Sequence, residues 1–224
     1  MKRYIAPVLI GLIGSAVLIS LGVWQVQRLA WKEAILAEIE SGILAAPVPV
    51  PQSPDPADDQ YLPVRVTGQP DPRELHFLVS TRKLGPGFRI ITAFETDTGR
   101  RLLLDHGFVP TDAKTAPRPP QLLTVTGNLH WPEERDRFTP ENDPETNYWY
   151  AREVPLLAKE LNTEPTLVIA REITPADPSI TPLPVDTTGI PNDHLGYAVT
   201  WFGLAACWLG MTALQLWRIS RRNP

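Results

Sequence analysis

The sequence predicts a membrane protein of the α+β class, with two transmembrane helices flanking an antiparallel, barrel-like β domain that carries one short helix. Three observations predict it. Two long uncharged apolar stretches lie near the two ends of the chain, all 25 acidic residues lie between them, and the middle is written in short alternating patterns cut by proline and glycine.

The first apolar stretch runs from Tyr4 to Gln27 and the second from Leu195 to Trp217. Helices of this length reach about 35 Å at about 1.5 Å per residue, enough to cross a hydrocarbon core of about 30 Å. Lys2 and Arg3 precede the first stretch as in a secretory signal, but the apolar run is much longer than the usual signal core of about 7 to 15 residues. Ala45 and Ala46 lie too far downstream to serve as its cleavage site, so the expectation is an uncleaved anchor.

Basic residues beside a span are retained on the cytoplasmic side. Lys2 and Arg3 precede the first span and Arg218, Arg221 and Arg222 follow the second; the other 16 of the 21 basic residues lie between the spans with all the acids. Both termini are therefore expected in the cytoplasm, with the acidic middle outside, in the periplasm beyond a bacterial inner membrane. An acidic outer domain excludes nucleic acid as a partner, because phosphate binding needs a basic footprint. Membrane lipids are the first expected partners.

Between the spans the helical period continues through Leu29, Lys32, Ile35, Leu36, Ile39 and Ile43, with a stop expected near Ser41 and Gly42. Pro47, Pro49, Pro51, Pro54 and Pro56, with Asp55, Asp58 and Asp59, predict a stiff polar linker. Strands are predicted over 63–69, 75–81, 88–96, 102–109 and 122–131, and a last one over 166–171. Turns are expected at Gly85-Pro86-Gly87 and Asp97-Thr98-Gly99. A helix is predicted over 154–162, entered through Pro155. The expected partition is a cytoplasmic N-terminus at 1–3, a first span at 4–27, a helical extension and linker at 28–60, a β-rich domain at 61–174, a return segment at 175–193, a second span at 194–217 and a cytoplasmic C-terminus at 218–224.

Chemistry-bearing motifs are few. No Gly-x-Ser-x-Gly, His-Glu-x-x-His or phosphate loop is present, and one cysteine and two methionines offer no copper or zinc set. Cys207 lies inside the second span, so the outer domain is expected to hold by apolar burial without disulfides. His76, His106 and His130 fall on strand segments and read as polar residues of the sheet. Gly203, Ala206 and Gly210 offer small surfaces for packing the second span, and Trp208 and Trp217 read as lipid-facing or belt residues.

Topology puts two residue sets at one membrane depth: Trp24, Gln25 and Arg28 end the first span, and His194, Tyr197 and Trp201 begin the second. Two readings are open for them. They are interfacial anchors, since tryptophan, tyrosine, histidine and arginine gather at membrane surfaces. Alternatively His194 ligates a metal centre such as haem iron, with Tyr197 and Trp201 on its helix face and Arg28 placed for a propionate carboxylate.

Leu21-Gly22-Val23-Trp24-Gln25 with Arg28 and Lys32, and Asn192-Asp193-His194 followed by Tyr197-Ala198 and Trp201-Phe202, resemble the opening and closing signatures of the surfeit-locus (Shy1-like) cytochrome c oxidase assembly-factor family. Gly107 to Pro110 looks like its Gly-Trp-Val-Pro turn, and Phe138 to Pro144 with Tyr148, Trp149 and Tyr150 looks like its proline and tryptophan region. His106 and Phe108 depart from the Arg-Gly-Trp that the family pattern usually has, which removes support from any role for that central motif. The resemblance implies a non-enzymatic assembly factor for a haem-copper oxidase, cytochrome c or quinol, that binds haem a transiently and aids its insertion into subunit I. It implies oxidase subunit I and the haem a synthase system as partners, and it implicates the histidine at position 194 in haem contact, with Trp24, Gln25, Arg28, Tyr197 and Trp201 around it. Its rival is a scaffold that stabilises subunit I without holding haem. A two-span sensor fits less well, because seven residues after the second span make no output module.

Overall fold

The computed structural model describes residues 2–187 and 190–221. The chain separates into two compact units, one of the terminal helices and one spanning residues Glu40–Asp186.

The first unit is built from α1 (Lys2–Ile43) as far as Ile39 and from α3 (His194–Arg221); the last turn of α1 belongs to the second unit. Both are long and apolar enough to cross a membrane, and most of their large apolar side chains are exposed, as lipid-facing side chains are. The contacts run antiparallel: the Cβ positions of Gly11, Gly14 and Gly22 abut Thr212, Trp208 and Phe202. Less exposed positions recur in alternating steps of four and three, at Gly11, Ser15, Leu18, Gly22 and Gln25 on α1 and at His194, Ala198, Trp201, Ala205, Trp208 and Thr212 on α3. That is the seam of an antiparallel coiled coil, closed by small residues as expected where apolar burial drives nothing. Ser15 and Thr212 hydroxyls donate to the carbonyls of Gly11 and Trp208 at 2.7 and 2.8 Å, which satisfies them inside an apolar environment.

Two expectations are corrected here. Gly203 and Gly210 face open space and Ala206 is exposed, so the small packing surface of the second span is Ala198 and Ala205. Trp208 is half-buried, with its indole against Gly14 rather than turned wholly to lipid. Glycine spacing on one helix does not say which face meets a partner; the partner's bulk decides.

The second unit is a closed barrel of five strands, β2 (Pro63–Thr81), β3 (Gly85–Thr96), β4 (Arg101–Pro110), β5 (Leu123–Leu129) and β6 (Leu167–Thr174), with a two-residue β1 (Val48–Pro49) added beside β2. Strand order is β2-β3-β4-β6-β5, and β5 returns to β2. Every neighbouring pair of barrel strands is antiparallel except β4 and β6. Closure leaves no edge, which answers the hazard of an exposed strand edge.

The long β2 makes closure possible, because its first half pairs with β5 and its second with β3. Gly68 sits at the change of partner, where an added Cβ would lie 2.2 Å from the carbonyl of Glu95. The two strands expected over 63–69 and 75–81 are thus one strand. Its register slips between Pro70 and Glu74, where Pro70 and Pro72 have no N–H to donate. The turn expected at Gly85-Pro86-Gly87 is also displaced: the chain reverses at 82–84, and Gly85 to Gly87 already pair with Thr81 to Val79.

Alternation divides most of the apolar residues between two cores, and Phe88, Ile90 and Val109 form a third, smaller cluster. Val64, Val66, Phe94, Leu102, Leu104, Leu123, Val125, Leu129 and Val168 fill the barrel. Leu75, Phe77, Ile91, Leu103, Leu167 and Ile169 point the other way and are covered by α2 (Val154–Leu161) and Trp149. α2 buries Val154, Leu157, Ala158 and Leu161, the i, i+3, i+4, i+7 stripe of a surface helix, and ends on Asn162 in the left-handed region. Trp149 is brought in by pairing beside β2: its N–H donates to His76 O at 3.0 Å and its carbonyl accepts from Leu78 N at 2.9 Å.

The segment expected to be a stiff polar linker is hydrogen-bonded to the barrel. The Ile43 carbonyl accepts from Asn128 Nδ2 at 2.8 Å and from Arg171 at 2.9 Å, and Arg100 takes the carbonyls of Val50 and Pro51 at 3.2 and 2.8 Å. Beyond the short pairing of Val48 and Pro49 with β2, side-chain donors of the sheet satisfy carbonyls of this stretch.

Candidate functional site

The two residue sets placed at one depth by topology meet at one point. His194 Nδ1 lies 2.8 Å from Gln25 Oε1, across the seam between α1 and α3. Both positions belong to the four-three rhythm of their helices, so the pairing follows from packing. Gln25 is 7% exposed, while the His194 ring is half-buried at the first turn of α3. Tyr197 N donates to the Asp193 carbonyl at 3.2 Å, which closes that turn and holds the ring's backbone.

An amide oxygen only accepts, so Nδ1 carries the proton of this hydrogen bond. Nε2 is left with its lone pair and, among the described residues, has no hydrogen-bond partner in the protein. With one nitrogen anchored and the other free, the ring can accept a hydrogen bond or donate its lone pair through Nε2.

The other expected residues are distributed unevenly. Trp201 lies in the seam two turns below His194 and is half-buried. Arg28, one turn beyond Gln25 on α1, lays its guanidinium over the Trp31 ring at 4.1 Å, and its exposed position leaves the charge at the helix surface. Trp24 and Tyr197 are 50% and 56% exposed and stand outside the seam. Geometry therefore joins His194 and Gln25 directly, keeps Trp201 and Arg28 within neighbouring turns of them, and leaves Trp24 and Tyr197 as outward-facing aromatic rings.

Gly22, part of the opening motif, decides how closely the helices approach beside Gln25. A Cβ on it would lie 2.7 Å from the Phe202 ring. Gly22→Leu is therefore expected to force the outer ends of α1 and α3 apart, at an overpacking cost of about 1–3 kcal/mol. Spin labels at the exposed positions Val26 and Val199, in a Cys207→Ser background, should report a longer and broader distance. Gly203→Leu, which enters open space, should leave the distance unchanged.

The remaining histidines are engaged within the barrel. His76 Nε2 pairs with Glu74 at 2.9 Å, His106 Nε2 with Thr92 Oγ1 at 2.9 Å, and His130 Nδ1 accepts from Gln60 at 3.1 Å while stacking on Tyr61. Burial holds the imidazolium of His106 and of His130 at a disadvantage and lowers each pKa to about 4. No cluster of three or more histidine, cysteine, aspartate or glutamate side chains suited to a metal occurs among the described residues. The proline and tryptophan region is structural: Asn142 caps Tyr150 N at 3.0 Å and Asn147 receives the Trp149 indole at 3.0 Å.

Residues 12–206 match the family model described as the SURF1 family. The chain belongs to the SURF1 family. It is 34% identical over 183 residues to Surfeit locus protein 1 of Rattus norvegicus, covering 70% of this chain and 60% of the relative. With the proteins of that name from Mus musculus and Homo sapiens it shares 35% and 33% identity, over 67% of this chain and 56% and 58% of theirs. It thus spans less than two thirds of the length of these curated relatives. The matched region takes in Gln25, His194, the whole barrel, most of α1 and the first part of α3.

Proposed function

We propose that this SURF1-family chain is a non-enzymatic assembly factor of a haem-copper oxidase, which takes haem a at the outer ends of its two helices and passes it to oxidase subunit I. The observation that carries the proposal is the His194–Gln25 hydrogen bond, which presents an uncommitted Nε2 beside apolar helix surfaces. Family membership supplies the process, since the resemblance of the two terminal motifs to oxidase assembly factors implies it. Subunit I and the haem a synthase system are the partners of this reading.

In this reading haem is cargo, and the residues present suit it. His194 would contribute one axial nitrogen, Trp201, Trp24 and Tyr197 aromatic surface for the macrocycle, and Arg28 a charge for a propionate. A half-buried ring with a single protein nitrogen makes an open, weak site, which suits release to a subunit with a better ligand set. Bacterial inner-membrane residence, cytoplasmic termini and a periplasmic barrel complete the proposal, supported by the positive charge flanking the spans.

The test is purification in mild detergent from cells that make haem a. Substoichiometric haem is expected in the parent chain, and His194→Ala should remove most of it and lower the yield of assembled oxidase. Haem content and oxidase activity unchanged in that variant would reject the proposal. Normal assembly with His194→Ala, but failure on altering the barrel surface, would favour the scaffold role instead.

A further inference from the structure

Why a buried glutamine, and not a carboxylate, faces His194 is a question the haem-handling reading leaves open. Ligating histidines commonly pass their second N–H to a carboxylate, a carbonyl or water, and these partners orient the ring and raise the basicity of the ligating nitrogen. Gln25 supplies the orientation with no charge. Its carbonyl oxygen, 2.8 Å from Nδ1 and 7% exposed as a residue, is held in a seam where Gly22, one turn away, lets the helices approach. A neutral acceptor polarises an imidazole less than an anion does.

We infer that Gln25 is a positioning residue: it fixes His194 as the Nδ1–H tautomer, so that Nε2 is the ligating nitrogen, and by being uncharged it keeps that ligand weak enough to surrender its metalloporphyrin. The first half concerns the protein alone; the second rests on the haem-handling reading. Gln25→Leu removes the acceptor at similar volume and frees the tautomer. Gln25→Glu places an anion at the same atom and strengthens the hold.

The experiment has two arms on the full chain in lipid nanodiscs. In the first, without haem, ring nitrogens are observed in protein labelled with ¹⁵N-histidine, the His194 signals being those absent from His194→Gln. The expected result is a protonated Nδ1 and a bare Nε2 in the parent chain, and loss of that single tautomer in Gln25→Leu. A parent ring protonated on Nε2, as an amide nitrogen facing Nδ1 would require, overturns the assignment, and so does the same tautomer persisting in Gln25→Leu.

In the second arm, proteins loaded with haem transfer it to apomyoglobin, followed by absorbance. Transfer is expected to be roughly tenfold slower from Gln25→Glu and several-fold faster from Gln25→Leu than from the parent, the range seen when partners of ligating histidines are altered. Equal rates from the three overturn the tuning role while the tautomer result stands on its own. A parent chain that takes up no haem overturns the haem-handling reading and the tuning role together, and the nitrogen spectra still decide what Gln25 does to His194.

Discussion

Asp105→Ala is expected to destabilise the barrel by about 3–5 kcal/mol, the cost of stripping one partner from a buried ionic network. Asp105 is 0% exposed and lies on β4, where its carboxylate receives the guanidinium groups of Arg89 and, at 3.1 Å, Arg152. Its other oxygen accepts from Gly107 N at 3.0 Å. Arg152 is shared with Glu134, and Arg89 reaches on to the Leu183 carbonyl at 2.8 Å, so one aspartate ties β3, β4, the segment before α2 and the return segment together. Burial by itself lowers the Arg152 pKa, but hydrogen bonds and charge from Glu134 and Asp105 outweigh it and raise the pKa overall. Removing Asp105 leaves two guanidinium groups against one glutamate. Urea unfolding of the detergent-solubilised protein, followed by tryptophan fluorescence, measures the loss; Asp112→Ala, at an exposed site with no ion pair among the described residues, is the neutral comparison. A difference under about 1 kcal/mol between the two variants would show that the network carries little stability.

Acidification is expected to produce the second large effect, and it begins well above the carboxylate range. His106 and His130 have folded-state pKa values of about 4 against an ordinary 6.5. Burial is the main cause in both. For His106 the Asp105 and Glu74 carboxylates oppose burial while Arg118 adds to it and Asp177 opposes it; for His130 the Arg152 charge adds to burial. The unfolded chain therefore binds protons that the folded chain refuses between pH 6.5 and 4. Stability is fully present above pH 6.5 and falls as pH drops toward 4. His106 alone accounts for about 3 kcal/mol across that window at about 1.4 kcal/mol per pH unit, and the more exposed His130 adds a smaller share. Glu74 and Glu134, whose pKa values are lowered despite burial because His76, Arg118 and Arg152 hold them charged, lose their contribution as pH falls from the ordinary value of 4.5 toward their lower folded values. Denaturation midpoints at pH 7, 6 and 5 should thus fall in the parent chain and fall less in His106→Gln. Parallel lines for the two proteins would exclude His106 as the source.

Much of this architecture was legible in the order of residues. Alternation at Val64 and Val66, Pro155 at a helix start and the turn residues at Asp97 to Gly99 act through local sterics, so 63–69, 102–109 and 154–162 lie within the observed elements or within one residue of their ends. The errors have one source. Gly85-Pro86-Gly87 carries turn chemistry, yet it pairs as strand because Thr81 to Val79 stand opposite; Pro70 and Pro72 read as a break, yet β3 bridges it. The proline-rich stretch reads as a spacer until Asn128 and Arg100, far along the chain, supply its donors.

At the candidate site the same division holds. Two apolar stretches, their flanking charge and the terminal motifs were enough to bring Trp24, Gln25, Arg28, His194, Tyr197 and Trp201 to a common depth, because span length and rise per residue are properties of single helices. Rotation of each helix about its axis is a property of the pair. Only packing decided that Gly11, Gly14 and Gly22 face Thr212, Trp208 and Phe202, that Gly203 and Gly210 meet open space, and that Gln25 hydrogen-bonds to His194. Sequence by itself determined which segments are apolar, extended or helical, since those follow from neighbours a few residues away. Tertiary structure decided which faces meet and which nitrogen of His194 is left open, since both depend on atoms 169 residues apart in the chain.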